Sequence, residues 1–229
     1  MIKLRGIKKN YGQKIILDHV DLDIERGEII GLLAPNGMGK TTFLKVLGGQ
    51  ICFDGGKYEF EGHSFVPSDK AFIGYMNDTQ TLPITWKVKE AVNYYKQYFK
   101  TFNENKCCEL LAYFKINDQS QISNMSKGDN EKLQLALCLA IEGFLYILDE
   151  PLAAVGLLTR IEIIKMILNN FDLRTTIIFS SHLVRDVDKI LDRIWLLKDG
   201  KIVENVLVED LRQQGYSVMS RYKDVFTNV

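Results

Sequence analysis

Hydrophobic and polar positions follow two different periods in the first part of the chain. Val20, Leu22 and Ile24 alternate with acidic residues, which is typical of a strand with one face in water. Residues 28–33 form a short apolar run that leads into a glycine-rich turn, and this pattern predicts a strand buried on both faces. The next segment, residues 41–47, has a helical pattern.

The middle of the chain changes to helical spacing. From Lys87 to Phe102, apolar residues recur every three or four positions, which predicts a helix with one buried face. The residues of that face are Val88, Ala91, Val92, Tyr95, Phe99 and Phe102. A second helix is predicted around Leu110 and a third after Gly128, so residues 77–141 are predicted to form a helical subdomain between strand-rich parts.

Strand patterns return in the last third. Residues 143–148 and 175–179 are apolar runs, and the segment between them predicts a helix with four apolar residues on one side. These are Ile161, Ile164, Ile167 and Leu168. Strand–helix–strand order favours a parallel sheet with right-handed crossovers. Asp199 and Gly200, between two further apolar runs, predict a two-residue hairpin.

Together these patterns predict one α/β domain over residues 1–229, with a mainly parallel sheet, flanking helices and an antiparallel β region at its N-terminus. The core would comprise residues 1–76 and 142–206, and the helical subdomain residues 77–141. Residues 207–229 form a short tail of mixed character, which predicts no element.

Composition excludes several classes of protein. The chain has 46% hydrophobic and 25% charged residues, which are ordinary globular values and exclude a disordered or collagen-like chain. Its 29 basic residues match 29 acidic ones, so we expect no nucleic-acid partner. The four cysteines lack zinc-site spacing and suit a reducing cytoplasm. We expect no signal peptide and no membrane-spanning segment, because the longest apolar runs, such as residues 135–141, are too short.

The loop between the predicted buried strand and the first predicted helix has the features of a phosphate-binding loop. Gly37 and Gly39 allow successive backbone N–H groups to point at phosphate oxygens, and the helix adds its positive N-terminal end. Lys40 is placed to reach the β- and γ-phosphates, and the Thr41 hydroxyl to bind Mg²⁺. The predicted nucleotide-binding residues are Ala34, Pro35, Asn36, Gly37, Met38, Gly39, Lys40, Thr41 and Thr42.

One position of this loop departs from the strict phosphate-loop pattern, which has glycine where this chain has Ala34. A methyl group is tolerated there if the residue keeps a negative φ. The alternative is a glycine-containing turn without a ligand, but Lys40 beside two glycines would then have no packing role.

A second acidic motif follows the apolar strand at residues 143–148. Asp149 is placed to hold Mg²⁺ opposite Thr41, and Glu150 to take a proton from an attacking water. The alternative is that both carboxylates cap a helix that begins at Pro151.

With these motifs, the sequence Met-Ser-Lys-Gly-Asp at residues 125–129 resembles the Leu-Ser-Gly-Gly-Gln signature of ATP-binding cassette (ABC) ATPases. His182, in Ser-Ser-His, completes the family's order of motifs over nearly the whole chain. The Ser-Lys-Gly form of the signature looks most like bacterial cassettes that serve antibiotic- or peptide-exporting membrane subunits.

The resemblance implies that two cassettes close head-to-tail around two ATP molecules. Residues 126–128 (Ser126, Lys127 and Gly128) would contact the nucleotide of the opposite chain, although Ser126 could instead be an ordinary helix cap. His182 would contact the γ-phosphate; the alternative is a buried core histidine. Tyr11 would stack on adenine, unless it is simply a turn residue.

Two positions depart from the family. The glutamine that touches Mg²⁺ and faces the membrane subunit falls on Asp78, although a local shift would place Gln80 there. The aspartate of the loop that crosses the dimer falls on Gly156, which puts communication between the two sites in doubt.

The sequence thus predicts an ATPase with Mg²⁺ as cofactor, Glu150, His182 and Lys40 as catalytic residues, and Thr41, Asp149 and Asp78 near the metal. We expect it to power transport, as an exporter, through a separate membrane subunit and with a second cassette chain, at the cytoplasmic face of the membrane. The alternatives are an ABC ATPase that acts on nucleic acid or the ribosome, and a non-hydrolytic nucleotide-binding module.

Overall fold

The computed structural model describes residues 1–153, 155–182 and 184–227. Its strands are β1 (Ile2–Tyr11), β2 (Lys14–Ile24), β3 (Ile29–Leu33), β4 (Gly55–Phe60), β5 (His63–Ser64), β6 (Ile73–Met76), β7 (Leu145–Leu148), β8 (Thr176–Ser181), β9 (Arg193–Lys198) and β10 (Lys201–Leu207). Its α-helices are α1 (Lys40–Leu47), α2 (Val88–Tyr98), α3 (Glu104–Tyr113), α4 (Lys127–Leu139), α5 (Leu157–Asn170), α6 (Val184–Val187), α7 (Val208–Gln213) and α8 (Val218–Thr227).

A six-stranded sheet in the order β10-β9-β3-β8-β7-β6 forms the centre of the fold. All its neighbouring strands run parallel except the β9–β10 hairpin. Strand β3 is buried on both faces, because Ile29 and Leu33 pack into one hydrophobic core while Ile30 and Leu32 pack into another. The predicted α/β fold with a mainly parallel sheet is confirmed.

A smaller antiparallel sheet, in the order β2-β1-β4-β5, covers one side of this centre. Helix α1 shares the core between the two sheets through Phe43, Leu44 and Leu47. The ring of Phe43 meets Trp195 of β9 edge-on, with centroids 6.1 Å apart. This packing fixes the N-terminus of α1 at the carboxyl end of β3, where the glycine loop lies.

The helices α2, α3 and α4 pack into the core on the other face of the sheet. The predicted first helix was too long: α2 ends at Tyr98, since Phe99 is extended, and Phe102 forms a bridge with Ile141 instead. The third helix begins at Lys127 rather than after Gly128. No helix in the described part of the chain combines the length and hydropathy needed to cross a membrane.

The apolar side predicted for α5 was only partly right, because Ile167 is buried and Ile164 packs against the core. The helix buries Ile163, Met166 and Ile167, whereas Ile161 and Leu168 are more than 40% exposed. The helix is apolar on several sides, so its periodicity alone does not select the face that packs against the sheet.

The C-terminal part contains more structure than the sequence predicted. The two-residue hairpin is present, with Asp199 and Gly200 both at positive φ as a type I′ turn requires. After it, α7 and α8 form two helices that were not predicted. Tyr222 and Phe226 of α8 pack against the core, and the ammonium group of Lys198 donates to the Val225 carbonyl at 2.8 Å. Tertiary contacts of this kind stabilise short helices whose own patterns are weak.

Candidate nucleotide-binding site

The glycine loop connects β3 to α1 and is shaped by left-handed backbone. Gly37 has φ of 81° and Gly39, which caps α1, has φ of 93°. A Cβ atom on Gly39 would lie 2.9 Å from the Ile16 side chain, so only glycine fits there. Ala34 is buried and does not have a positive φ, so its methyl group is accommodated without strain.

Lys40 lies folded over this loop with only 6% of its surface exposed. Its ammonium group donates to the carbonyl oxygens of Ala34 at 2.8 Å and Pro35 at 3.4 Å. It also lies 3.2 Å from Glu150 Oε1, an ion pair without hydrogen-bond alignment. The positive charge of Lys40 is therefore held between the loop carbonyls and Glu150, which follows β7.

Asp149 is completely buried at the end of β7. The Ser180 hydroxyl donates to Asp149 Oδ1 at 2.7 Å, while Oδ2 is buried without a hydrogen-bond partner. Burial raises the pKa of Asp149, hydrogen bonds from Ser180 and Thr41 oppose this, and the charges of Asp78 and Glu150 add to the rise. A buried oxygen of this kind needs a partner such as a cation.

Glu150 is held in an unusual backbone conformation, with φ of 51°. Its N–H group donates to the Ser180 hydroxyl at 2.9 Å, so one serine positions both acidic residues. Its side chain reaches His182, whose Nδ1 lies 2.9 Å from Glu150 Oε2. The structure thus brings Lys40, Glu150 and His182 together, as the sequence motifs predict.

A cavity of about 360 Å³ adjoins these groups. It is lined by Ile16, Asn36, Gly37, Gly39, Lys40, Thr41, Thr42, Asp78 and Glu150. Of the other predicted loop residues, Met38 packs against the core between the sheets. Ile16, on β2, was missed by the sequence analysis because nothing near it in the chain marks it.

Asp78, rather than Gln80, faces this cavity. The Gln80 amide is turned toward α4, where its Nε2 donates to Asn130 Oδ1 at 2.8 Å. The N–H group of Asp149 donates to the Met76 carbonyl, so the end of β6 lies directly beside the end of β7. This pairing places the residues after β6 at the phosphate loop.

Glu131 is a buried acidic residue that the sequence analysis missed, since a single glutamate in a helix carries no motif. It lies on α4 with 8% of its surface exposed. Burial raises the pKa of Glu131 to about 7, Lys127 opposes the rise, and Asp78 adds to it. The charge of Glu131 is therefore coupled to that of Asp78, which lines the cavity.

The other predicted residues lie apart from this cavity. Ser126 caps α4, because its hydroxyl accepts from Asp129 N–H at 3.1 Å and donates to Asp129 Oδ2 at 2.7 Å. Ser126 and Lys127 are exposed, and neither they nor Gly128 line it. Tyr11 is 54% exposed at the end of β1, with the Lys9 ammonium group 5.6 Å from its ring centre.

A family model described as "ABC transporter" matches residues 17–153, which include the loop, Asp149 and Glu150. The chain belongs to the ABC transporter family. As an ABC cassette it is an ATP-binding ATPase with the P-loop fold.

Several curated relatives match this cassette over most of its length. The ABC transporter ATP-binding protein YtrB of Bacillus subtilis is 29% identical over 93% of this chain and 74% of its own length. The lantibiotic transport ATP-binding protein SrtF of Streptococcus pyogenes is 30% identical over 89% of each chain. The sulfate/thiosulfate import ATP-binding protein CysA of Bacillus cereus is 29% identical over 88% of this chain and 60% of its own length.

Solved structures agree with the fold of the cassette. The ATP-binding subunit of an ABC transporter superposes with a TM-score of 0.86 and 21% identity, covering 98% of each chain. A dimeric cassette bound to ADP and phosphate has a TM-score of 0.80 and 20% identity, covering 90% of this chain and 98% of that one.

Proposed function

We propose that this cassette hydrolyses ATP in a pair with a second cassette and drives export through a separate membrane subunit. The observation that carries this proposal is the cluster in which Glu150 contacts Lys40 and His182 beside the loop-lined cavity. A carboxylate held next to a phosphate-binding lysine suits the hydrolysis of a terminal phosphate.

The residues around the cavity fit a nucleotide with Mg²⁺. The loop N–H groups and Lys40 would hold the phosphates, while the Thr41 hydroxyl, Asp149 and Asp78 would hold the ion. Oxygen ligands are those that Mg²⁺ prefers, and the unpartnered Oδ2 of Asp149 supplies one. When bound, Mg²⁺ would neutralise charge on the phosphate oxygens.

Glu150 is the residue that we assign to the proton transfer. Its carboxylate would accept a proton from the attacking water, which makes the water a stronger nucleophile. His182 Nδ1 lies 2.9 Å from Glu150 Oε2 and orients the carboxylate. The Ser180 hydroxyl accepts a hydrogen bond from the N–H group of Glu150 and so holds its backbone in place. Lys40 would stabilise the negative charge that develops on the phosphate.

A second cassette would complete the site. Ser126 and Lys127 are exposed at the N-terminus of α4, outside the cavity of their own chain. Helix N-termini bind anions, so this surface suits the terminal phosphate of a nucleotide held by another chain. That a neighbour of the same fold is a dimer bound to ADP and phosphate supports the pairing of two cassettes.

The membrane subunit would dock in a groove beside the helices. A cavity of about 610 Å³ is lined by Tyr75, Trp86, Tyr94 and Tyr95, among others. The ring of Tyr94 lies between those of Trp86 and Tyr98 and is tilted against both, and Tyr98 is 63% exposed. Exposed aromatic clusters are typical of interfaces. Cross-links from a co-purified membrane subunit to this groove would support the assignment, and cross-links confined to the six-stranded sheet would contradict it.

The relatives include a lantibiotic transport protein and an import protein at similar identity, so the proposal of export rests on the Ser-Lys-Gly form of the signature at residues 126–128. A membrane partner would place this cassette at the cytoplasmic face of the membrane. Uptake of a labelled cargo into inverted vesicles with ATP outside would support export; ATP-driven loss from them would indicate import.

The experiment that tests hydrolysis compares the parent with Glu150→Gln. We expect phosphate release to fall about 10²- to 10⁴-fold with ATP binding retained, because an amide cannot accept the proton. Glu109→Gln, an exposed change on α3, serves as the control. Parent-like turnover in Glu150→Gln would contradict the assignment. A parent that binds Mg-ATP without releasing phosphate would instead favour a non-hydrolytic module, and stimulation by nucleic acid or ribosomes would favour the other alternative.

A further inference from the structure

A second cavity, of about 510 Å³, opens at the amino ends of β7 and β8. The phosphate loop follows the carboxyl end of β3, which runs parallel to β8, so the two cavities lie at opposite edges of the sheet. Phe144 and Thr175, which precede the two strands, line one part of this second cavity, and Lys106 of α3 lines another. Cavities of this size hold small organic molecules.

Lys106 brings a positive charge to this cavity that no acid contacts. Its ammonium group lies 5.9 Å from the ring centre of Tyr146, and burial lowers the pKa of Lys106. Within the described part of the chain, no carboxylate lies at ion-pair distance from this ammonium group, and Glu142 and Asp172 attract it only from further away. A half-buried charge without a contacting counter-ion favours the entry of an anion.

The two acidic residues of the cavity wall already have donors of their own. Glu142 Oε1 accepts a hydrogen bond from Asn103 Nδ2 at 2.7 Å. Asp172 Oδ2 accepts from Arg174 Nη2 at 2.8 Å and Nε at 3.2 Å, and these bonds hold the pKa of Asp172 below its usual range. The ammonium group of Lys106 is therefore the charge of this cavity that is left to pair with a ligand.

An aromatic wall adjoins this charge. Phe72 is 44% exposed, and its ring stacks on that of Phe144 with centroids 6.3 Å apart. The Arg26 guanidinium lies 4.1 Å from the Phe144 ring centre and is paired with Glu61. A Cβ atom on Gly143 would overlap the Phe72 carbonyl oxygen, so only glycine lets the backbone pass this close to Phe72. The wall is thus fixed by packing and still presents one open ring.

We propose that this cavity binds a small aromatic carboxylate, whose charge pairs with Lys106 and whose ring stacks on Phe72. One ammonium group without a contacting acid matches the single charge of a carboxylate. An exposed phenyl ring gains from an offset aromatic partner. The inference goes beyond the proposed function and does not depend on it, because no residue of the phosphate cavity lines this one.

The test measures the binding of naphthoate by titration calorimetry, with Mg-ADP present to fill the phosphate cavity. We expect the parent to bind with a Kd of about 1 mM or below, as suits a small ligand. Lys106→Gln should raise this Kd at least about tenfold, because a charge-assisted hydrogen bond is lost. Lys89→Gln, which removes an exposed lysine of α2, is the matched control and should bind as the parent does. Equal affinity in Lys106→Gln and the parent, or no measurable binding to the parent, would overturn the proposal.

A second variant and two further ligands test the contribution of the ring. Phe72→Leu keeps an apolar side chain and should weaken naphthoate binding about threefold or more. Naphthalenemethanol, which lacks the charge, and cyclohexanecarboxylate, which lacks the aromatic ring, should each bind more weakly than naphthoate. If naphthalenemethanol binds as tightly as naphthoate, the site does not select an anion and the proposal is wrong. Repeating the Lys106→Gln titration without nucleotide separates a failure of this site from a failure of the phosphate cavity.

Discussion

Glu131 is a buried carboxyl group whose ionisation destabilises the folded protein. Burial raises the pKa of Glu131 to about 7, whereas a glutamate in an unfolded chain has a pKa of about 4.3. Between these values the folded chain binds more protons than the unfolded chain. The free energy of unfolding therefore falls as the pH rises from about 4.3 to about 7 and is constant with respect to this group above that.

The size of the effect follows from the same two pKa values. A gap from about 4.3 to about 7 corresponds to at most about 3–4 kcal/mol, and residual solvent screening reduces this to about 1–3 kcal/mol. Glu131→Gln keeps the shape of the side chain but cannot ionise. At pH 8 the variant should therefore be more stable than the parent by about 1–3 kcal/mol, and this difference should shrink as the pH falls and vanish only below the unfolded-state pKa of about 4.3.

The assay is chemical denaturation of nucleotide-free protein at pH 5 and pH 8, with Glu109→Gln as an exposed control. The control should differ little from the parent at either pH. If Glu131→Gln gains the same stability at both values, the gain does not come from ionisation. If it loses stability at pH 8, the carboxylate makes favourable contacts and our reasoning about its burial is wrong.

Two further predictions concern the phosphate cavity. Lys40→Ala should abolish useful affinity for Mg-ATP, because the loop loses the positive charge that would contact the phosphates. Thermal unfolding should stay cooperative, since the loop keeps its backbone donors. Parent-like affinity in titration calorimetry would contradict the assignment of the loop. Asp78→Gln should make ATP affinity depend less steeply on Mg²⁺, because it removes a negative charge that the ion must offset. Gln80→Ala removes a side chain that is hydrogen-bonded to Asn130, and it should leave the Mg²⁺ dependence of ATP affinity unchanged. If Gln80→Ala weakens that dependence and Asp78→Gln does not, Gln80 is the residue near the metal.

Local sequence determined the parts of this protein that depend on neighbouring residues. The loop between β3 and α1 needs glycine where φ is positive, and an apolar run that ends in two carboxylates already places both at a strand end. The Asp199–Gly200 hairpin follows in the same way from backbone preferences of two adjacent residues. Such features require no knowledge of distant contacts, so the pattern alone was sufficient to predict them.

Tertiary structure decided what depends on residues far apart in the chain. Leu148 pairs with Phe179, and this register brings Ser180 against Asp149 and Glu150 across strands that the sequence separates by about 30 positions. The same kind of pairing turned Asp78, not Gln80, toward the cavity. Burial of Glu131 and exposure of Leu157 depend equally on which helix face meets the sheet, and an amphipathic period cannot select between two apolar faces. Only the packing of the whole chain makes that choice, because its free energy is shared among contacts that no short segment contains.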